Sequence, residues 1–113
     1  MNYNGMLKEG SLEGKVILIT GGGTGLGKSM GKYFMELGAN IIITSRKQDV
    51  LDKTAEEFSK YSSKVLPISG DVRDHKDVKR VISESLNEFG KIDCLLNNAA
   101  GNFISPTENL STK

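Results

Sequence analysis

With 113 residues, the chain is long enough for one small domain. Its 15 basic and 14 acidic residues nearly balance, and no block of like charge indicates a nucleic-acid partner. Apolar runs fall far short of the roughly 20 residues that span a membrane. The N-terminus has no apolar signal core, so we expect no membrane partner and a cytoplasmic location. The lone Cys94 excludes an internal disulfide, and we interpret it as a buried, unreactive thiol, with a reactive thiol as the alternative.

Short apolar runs rich in β-branched residues predict four strands. They cover residues 16–19, 40–44, 64–69 and 91–98. Between them, apolar residues recur at helical spacing from Leu26 to Leu37, from Leu51 to Phe58 and from Val78 to Phe89. This alternation predicts an α/β fold with a parallel sheet and helices on both faces.

Individual residues mark where these elements begin and end. Gly38 and Gly90 suit the left-handed positions that follow helices, and Asp74 suits the N-cap of the third helix. Because proline cannot donate to a strand ladder, Pro67 favours a sheet edge for the third strand. We predict a loose leader over residues 1–13 and a loop over residues 102–113.

A glycine-rich stretch, Gly21–Gly27, joins the first strand to the first helix. Backbone N–H groups and the positive end of the helix face a common point there, which favours a phosphate. Glycines also let the backbone approach a pyrophosphate closely. We therefore predict a dinucleotide-binding loop, with a tight glycine turn as the alternative. A Walker loop fits the spacing poorly.

The end of the second strand indicates which dinucleotide is bound. Ser45, Arg46 and Lys47 stand there, with no carboxylate before Asp49. A carboxylate would suit a free ribose 2′-hydroxyl, whereas arginine suits a 2′-phosphate. NADP(H) is therefore favoured over NAD(H), and the alternative is a solvated basic turn.

Three motifs in order resemble the short-chain dehydrogenase/reductase family. They are "TGGGTGLG" at Thr20–Gly27, "GDV" at Gly70–Val72 and "NNAAG" at Asn97–Gly101. The resemblance implies that residues 14–113 form the N-terminal part of a Rossmann-like NADP-binding domain, with four strands in the order 3-2-1-4. It assigns cofactor contacts to Gly21, Gly22, Gly23, Thr24, Gly25, Leu26, Gly27, Arg46, Asp71 and Asn98.

A narrower likeness rests on "DVRD" and "NNAAGNFISPTENLS". These segments resemble NADPH-dependent 2,4-dienoyl-CoA reductases, which act in unsaturated fatty-acid β-oxidation. The resemblance implies a hydride transfer from NADPH to a dienoyl-CoA substrate. It places Arg46, Arg73, Phe103 and Ser111 against the acyl-CoA.

Several of these side chains also have purely structural interpretations. Arg73 either pairs with a CoA phosphate or with Asp74 or Asp77. Asp71 contacts cofactor or caps the turn into the third helix. Phe103 either forms a wall of an acyl pocket or fills a loop. Asn97 either contacts the cofactor or holds the sheet edge. We interpret His75 as a surface residue.

The catalytic pair of the family, Tyr-x-x-x-Lys, is not found in this chain. Leu7, Leu37 and Val65 stand four residues after the three tyrosines. We therefore predict no catalytic residue and no metal site here, and an open edge at the fourth strand. We expect the N-terminal part of a longer enzyme, tetrameric as is common in the family. The alternatives are an inactive dinucleotide-binding remnant or another member such as a 3-oxoacyl reductase, whereas a methyltransferase fits poorly.

Overall fold

The computed structural model describes residues 10–21, 25–98 and 103–106, the last four by their backbone only. In these residues five strands and three helices form. The strands are β1 (Val16–Thr20), β2 (Asn40–Ser45), β3 (Val65–Ser69), β4 (Cys94–Asn97) and β5 (Phe103–Pro106). The helices are α1 (Gly25–Glu36), α2 (Gln48–Phe58) and α3 (His75–Phe89).

One sheet contains all five strands in the order β3-β2-β1-β4-β5. The first four strands are parallel, so the predicted α/β fold and the order 3-2-1-4 are confirmed. Pro67 on β3 pairs with Ile43 on β2. β3 is an edge strand of the sheet, as predicted. Each parallel crossover carries a helix, as parallel neighbours require.

The fifth strand corrects two expectations. β5 runs antiparallel to β4, with Cys94 opposite Pro106 and Asn97 opposite Phe103. Residues 103–106 are therefore not loop, and β4 is not an open edge. A strand edge presents a row of unpaired backbone groups, and even a four-residue strand can satisfy them.

The helix boundaries follow the predicted capping residues. Asp74 caps α3, where its Oδ1 accepts the N–H of Lys76 at 3.0 Å. Gly90 ends that helix with a φ of 80°, and Gly38 follows α1 with a φ of 100°. Both glycines have the left-handed backbone that L-residues with side chains rarely adopt.

The sheet buries its two faces against different helices, because successive side chains of a strand point to opposite sides. The α1/α2 face is the cluster of Ile17, Ile19, Met35, Ala39, Ile41, Ile43, Leu51, Phe58 and Leu96. The α3 face is the cluster of Val16, Leu18, Ile42, Ile68, Val81 and Ile92. Helices on both faces are thus confirmed.

The described end of the leader is attached to the domain. The N–H of Leu12 donates to the carbonyl of Leu37 at 2.9 Å, and the Leu12 side chain packs against the α1/α2 face. The prediction of a loose leader is therefore wrong for residues 10–13, and residues 1–9 lie outside the described residues.

None of the helices described here combines the length and the apolar character needed to cross a bilayer.

Candidate functional site

The glycine-rich loop begins where β1 ends. The N–H of Gly21 donates to the carbonyl of Thr44 at 2.7 Å, so the chain stays bonded to β2 as it leaves the sheet. Gly21 has a φ of 70°, which requires glycine at this turn. Gly22, Gly23 and Thr24, three of the predicted contacts, lie outside the described residues.

The start of α1 lies directly on this turn. A Cβ on Gly27 would overlap the carbonyl oxygen of Gly21 and lie 3.0 Å from Nδ2 of Asn98. Only a glycine allows the helix to approach the strand end this closely. A Cβ on Gly25 would meet no atom within 4 Å, and Leu26 is 55% exposed. The first turn of a helix carries N–H groups without partners in the helix, so an anion is favoured at this end of α1.

A cleft of about 370 Å³ opens beside this loop, at the carboxyl ends of β1, β2 and β3. It brings together four predicted site residues that are distant in sequence: Gly21, Arg46, Asp71 and Arg73. The remaining lining residues are Thr44, Ser45, Gly70 and Val72. Ligands of open α/β sheets bind outside the carboxyl ends of the strands, where this cleft lies.

A second cavity of about 200 Å³ adjoins the cleft and runs between the sheet and α3. Thr44, Gly70, Asp71 and Val72 line both spaces. The walls of the second cavity are mostly apolar, from Leu18, Val78, Val81, Ile82 and Leu95. The cleft with its charged side chains and the mostly apolar cavity therefore meet at the same four residues.

Arg73 pairs with Asp71, which corrects the expected partners Asp74 and Asp77. In the side chain of Arg73, Nε lies 3.1 Å from Oδ1 of Asp71 and Nη2 lies 3.3 Å from Oδ2. The backbone N–H of Arg73 also donates to Oδ1 at 2.9 Å. These side-chain and backbone hydrogen bonds hold the pKa of Asp71 below its usual value, and the charge of Arg46 adds to the effect. The alternative in which Asp71 caps a turn is also confirmed by the bond to the Arg73 N–H.

Arg46 itself is exposed and forms no ion pair within the described ranges. The cleft thus contains two guanidinium groups and one carboxylate, and Asp71 neutralises Arg73. Arg46 retains its donors for an anion that enters the cleft.

The two asparagines at the end of β4 have protein partners. Oγ1 of Thr20 donates to Oδ1 of Asn97 at 2.9 Å, which ties the ends of β1 and β4 together. Nδ2 of Asn98 lies 3.4 Å from the carbonyl oxygen of Gly21, a long hydrogen bond. The structural interpretation of Asn97 is therefore confirmed, and Asn98 lies beside the glycine loop as a cofactor contact requires.

Other predicted residues lie outside this arrangement. The backbone of Phe103 belongs to β5, and Ser111 lies outside the described residues. His75 is exposed at the first turn of α3, as expected for a surface residue. Cys94 is only partly buried, and burial, with the nearby Asp93, raises the pKa of its thiol, which disfavours the reactive thiolate.

Two residues that line the apolar cavity beside the cleft were not predicted. Thr44 is 1% exposed, and its Oγ1 finds no hydrogen-bond partner among the described residues. Asp77 accepts the N–H of Asp71 at 2.9 Å through Oδ2. An acidic residue three positions after the N-cap Asp74 is a known capping signal, which points to Asp77 although not to this partner. No sequence signal distinguishes Thr44 from an ordinary strand residue.

A family comparison agrees with this geometry. Residues 15–113 match the model of the short chain dehydrogenase family. The chain belongs to this family.

Individual relatives have more specific names. A probable 2,4-dienoyl-CoA reductase of Caenorhabditis elegans, described as (3E)-enoyl-CoA-producing, is 44% identical over 108 residues, which cover 94% of this chain and 35% of the relative. The L-sorbose reductase of Gluconobacter frateurii, solved with NADPH and L-sorbose, superposes with a TM-score of 0.75 at 34% identity, covering 78% of this chain and 34% of that one. The 3-ketoacyl-(acyl-carrier-protein) reductase of Brucella melitensis, solved with NADH, superposes with a TM-score of 0.70 at 38% identity. The match covers 75% of this chain and 34% of that one. The chain thus spans about a third of the length of these proteins.

Proposed function

We propose that this chain is the cofactor-binding part of an NADP(H)-dependent oxidoreductase that reduces 2,4-dienoyl-CoA. The observation that carries the proposal is the convergence of Gly21, Arg46 and Asp71 on one cleft beside the start of α1. Three motifs far apart in sequence thereby meet where a dinucleotide needs a phosphate cradle, a charged clamp and an adenine contact.

The residues that line the cleft fit a dinucleotide. In this proposal the pyrophosphate lies at the first turn of α1, beside Gly21 and Gly25, where glycine lets the backbone approach it closely. In this proposal Asp71 contacts the adenine end and Asn98 the nicotinamide ribose. The proposal is supported by the position of Asp71 on the cleft and of Asn98 beside Gly21. When bound, the nicotinamide supplies the hydride.

The choice of NADP(H) rests on Arg46. Solved relatives include one complex with NADPH and one with NADH, so family membership leaves both cofactors open. A planar guanidinium at the end of β2, unpaired within the described ranges, matches a 2′-phosphate in bidentate geometry. An acidic residue, which would favour the free hydroxyl, is absent from residues 45–48.

The substrate class rests on the name of the C. elegans relative and on the likeness of "DVRD" and "NNAAGNF". In this proposal Arg46, Arg73, Phe103 and Ser111 contact the acyl-CoA. Conjugate reduction adds one hydride from NADPH and one proton to the diene and leaves a single carbon–carbon double bond as a trans-3-enoyl-CoA. We also retain a tetramer, a cytoplasmic location and a role in fatty-acid β-oxidation as proposals for the complete gene product.

A specific observation supports a second candidate. The B. melitensis neighbour is named as a 3-ketoacyl reductase, so a 3-oxoacyl substrate is the second choice. The third candidate is a remnant that binds dinucleotide without chemistry.

Turnover by the complete gene product tests the proposal. NADPH consumption is followed with a 2,4-dienoyl-CoA and, in parallel, with a 3-oxoacyl-CoA of the same chain length, and the product is identified by mass spectrometry. We expect a trans-3-enoyl-CoA from the diene. If only the 3-oxo compound is turned over, the second candidate, a 3-oxoacyl reductase, replaces the first. Binding of NADPH without turnover of either compound supports the third.

A further inference from the structure

The segment that lines the cleft after β3 rests on α3. Gly70 separates the last residue of β3 from Asp71, and its N–H donates to the carbonyl of Ser45 at 2.8 Å. A Cβ on Gly70 would lie 2.9 Å from Cγ2 of Val81 and 3.4 Å from Nη2 of Arg80. The backbone of Gly70 therefore lies directly against side chains of α3, since glycine places no side chain of its own between them. The position of the segment therefore depends directly on α3.

Two side chains of α3 hold the backbone on either side of Gly70. Oδ2 of Asp77 accepts the N–H of Asp71 at 2.9 Å. Nη2 of Arg80 donates to the carbonyl of Ser69 at 2.6 Å. The two side chains lie 3.5 Å apart as an ion pair, so they form one unit that spans the segment.

The carboxylate of Asp77 does not serve as the helix cap, because Asp74 already caps α3 through the N–H of Lys76. Its recorded bond instead fixes the main chain of a residue that lines the cleft. Asp71 is thereby held at its backbone by Asp77, while its own carboxylate remains on the cleft with Arg73.

We propose that Asp77, supported by Arg80, is a positioning residue that fixes Asp71 and Val72 against the adenine end of the dinucleotide. The proposal rests on the proposed function, because it needs a dinucleotide in the cleft. The adenosine is common to NADPH and NADH, so this unit acts on both equally. Arg46, in contrast, acts on the 2′-phosphate and distinguishes between them.

The test compares Asp77→Ala with Glu84→Ala in the complete gene product. Both variants remove one carboxylate of α3 that pairs with Arg80. Glu84 bonds to that arginine and not to the segment after β3. We expect Asp77→Ala to weaken NADPH and NADH by the same factor, about tenfold for a lost charge-assisted hydrogen bond. Glu84→Ala leaves both dissociation constants within about twofold of the parent, as surface changes usually do.

Two more readouts separate positioning from a general loss of stability. Amide hydrogen exchange at Asp71 accelerates in Asp77→Ala and not in Glu84→Ala, while the amide of Ile43 in the central sheet stays protected in both. Asp77→Asn keeps an oxygen acceptor at the same place and is expected to retain most of the affinity. If Asp77→Ala does not fold, Asp77→Asn is compared with the parent, and a large loss of affinity without faster exchange at Asp71 overturns the inference.

If Asp77→Ala folds, three results overturn the inference. These are equal affinities in Asp77→Ala and Glu84→Ala, a loss for NADPH alone, or a loss in Asp77→Asn as large as in Asp77→Ala. If the parent protein binds neither dinucleotide, the proposed function itself fails, and the functional role of Asp77 fails with it. Exchange at Asp71 then still shows whether the bond to Asp77 forms in solution.

Discussion

The two faces of the sheet differ in how completely they are covered. The α1/α2 face packs against two helices, and Ile43 and Leu51 there are fully buried. The α3 face packs against one described helix and keeps an apolar cavity that leads into the cleft. Exposed large apolar residues occur in both helical layers, Leu26 of α1 at 55% and Leu86 of α3 at 42%. The α1/α2 face is therefore filled more completely, whereas the α3 face keeps open space next to the cleft.

The largest effect is expected on the α1/α2 face. Leu51→Ala removes a fully buried side chain from a filled core and is expected to lower the free energy of unfolding by about 2–5 kcal/mol. Leu86→Ala on α3 is the matched control and is expected to change it by about 0.5 kcal/mol or less. Urea unfolding of both variants measures the difference. Equal losses would show that the α3 face is as tightly packed as the other.

At the cleft, binding changes while stability does not. Arg46→Ala is expected to weaken NADPH by roughly ten- to a hundredfold, the range for a hydrogen-bonded charge, and to leave NADH nearly unchanged. Lys79→Ala, which removes the same charge from an exposed position on α3, is the control. Titration of each variant with both cofactors gives the comparison. Equal losses for the two cofactors argue against a 2′-phosphate at Arg46.

A pair of threonines on neighbouring strands gives a smaller effect of opposite sign. Thr20 and Thr44 are cross-strand partners, but only Thr20 has a recorded side-chain bond, to Asn97. Thr44→Val removes a buried hydroxyl that has no partner among the described residues and is expected to raise the free energy of unfolding by about 1 kcal/mol. Thr20→Val is expected to lower it by about the same amount. Thermal unfolding of the two variants measures these changes. A lower stability in both variants would indicate that a bound water satisfies the hydroxyl of Thr44.

The smallest effect is a dependence of stability on pH. Asp93 joins the starts of β1 and β4, since its Oδ2 accepts the N–H of Val16 at 2.8 Å and lies 3.2 Å from Nζ of Lys91. Although burial acts to raise the pKa of Asp93, these two interactions lower it overall. A folded-state pKa below the unfolded value of 3.8 adds stability that is complete above that pH and is lost as pH falls through the folded value.

Unfolding followed between pH 6 and pH 2 tests this sign. Asp93→Asn is expected to flatten the acid limb of the stability curve relative to the parent. The control is Asp49→Asn, which removes an exposed carboxylate that forms no ion pair among the described residues. A steeper limb in Asp93→Asn would contradict the assignment.

The apolar pattern of the sequence was sufficient to predict the parallel sheet and its helices. Apolar strand runs and the helical spacing of apolar residues both reflect burial against a neighbouring layer. The pattern was insufficient for β5, whose four residues pair with β4 through a tertiary contact that carries no local signal. The partner of Arg73 was also predicted wrongly. Asp74 is engaged with the N–H of Lys76 and Asp77 with the N–H of Asp71, so Asp71 is left to receive the guanidinium.

Within the candidate site, the local motifs were easier to predict than their relative placement. The glycine loop, Arg46 and Asp71 each had a sequence signal, and the structure brings them to one cleft. Thr44 and Asp77 were missed, because their roles arise only when β2, β3 and α3 meet.

The most direct test of the account is the affinity of the complete gene product for NADPH and NADH, measured by calorimetric titration in the same buffer at one low salt concentration. The account predicts binding of both, with NADPH tighter by roughly tenfold or more through the charged contact at Arg46. Binding of neither cofactor, or tighter binding of NADH, would contradict it.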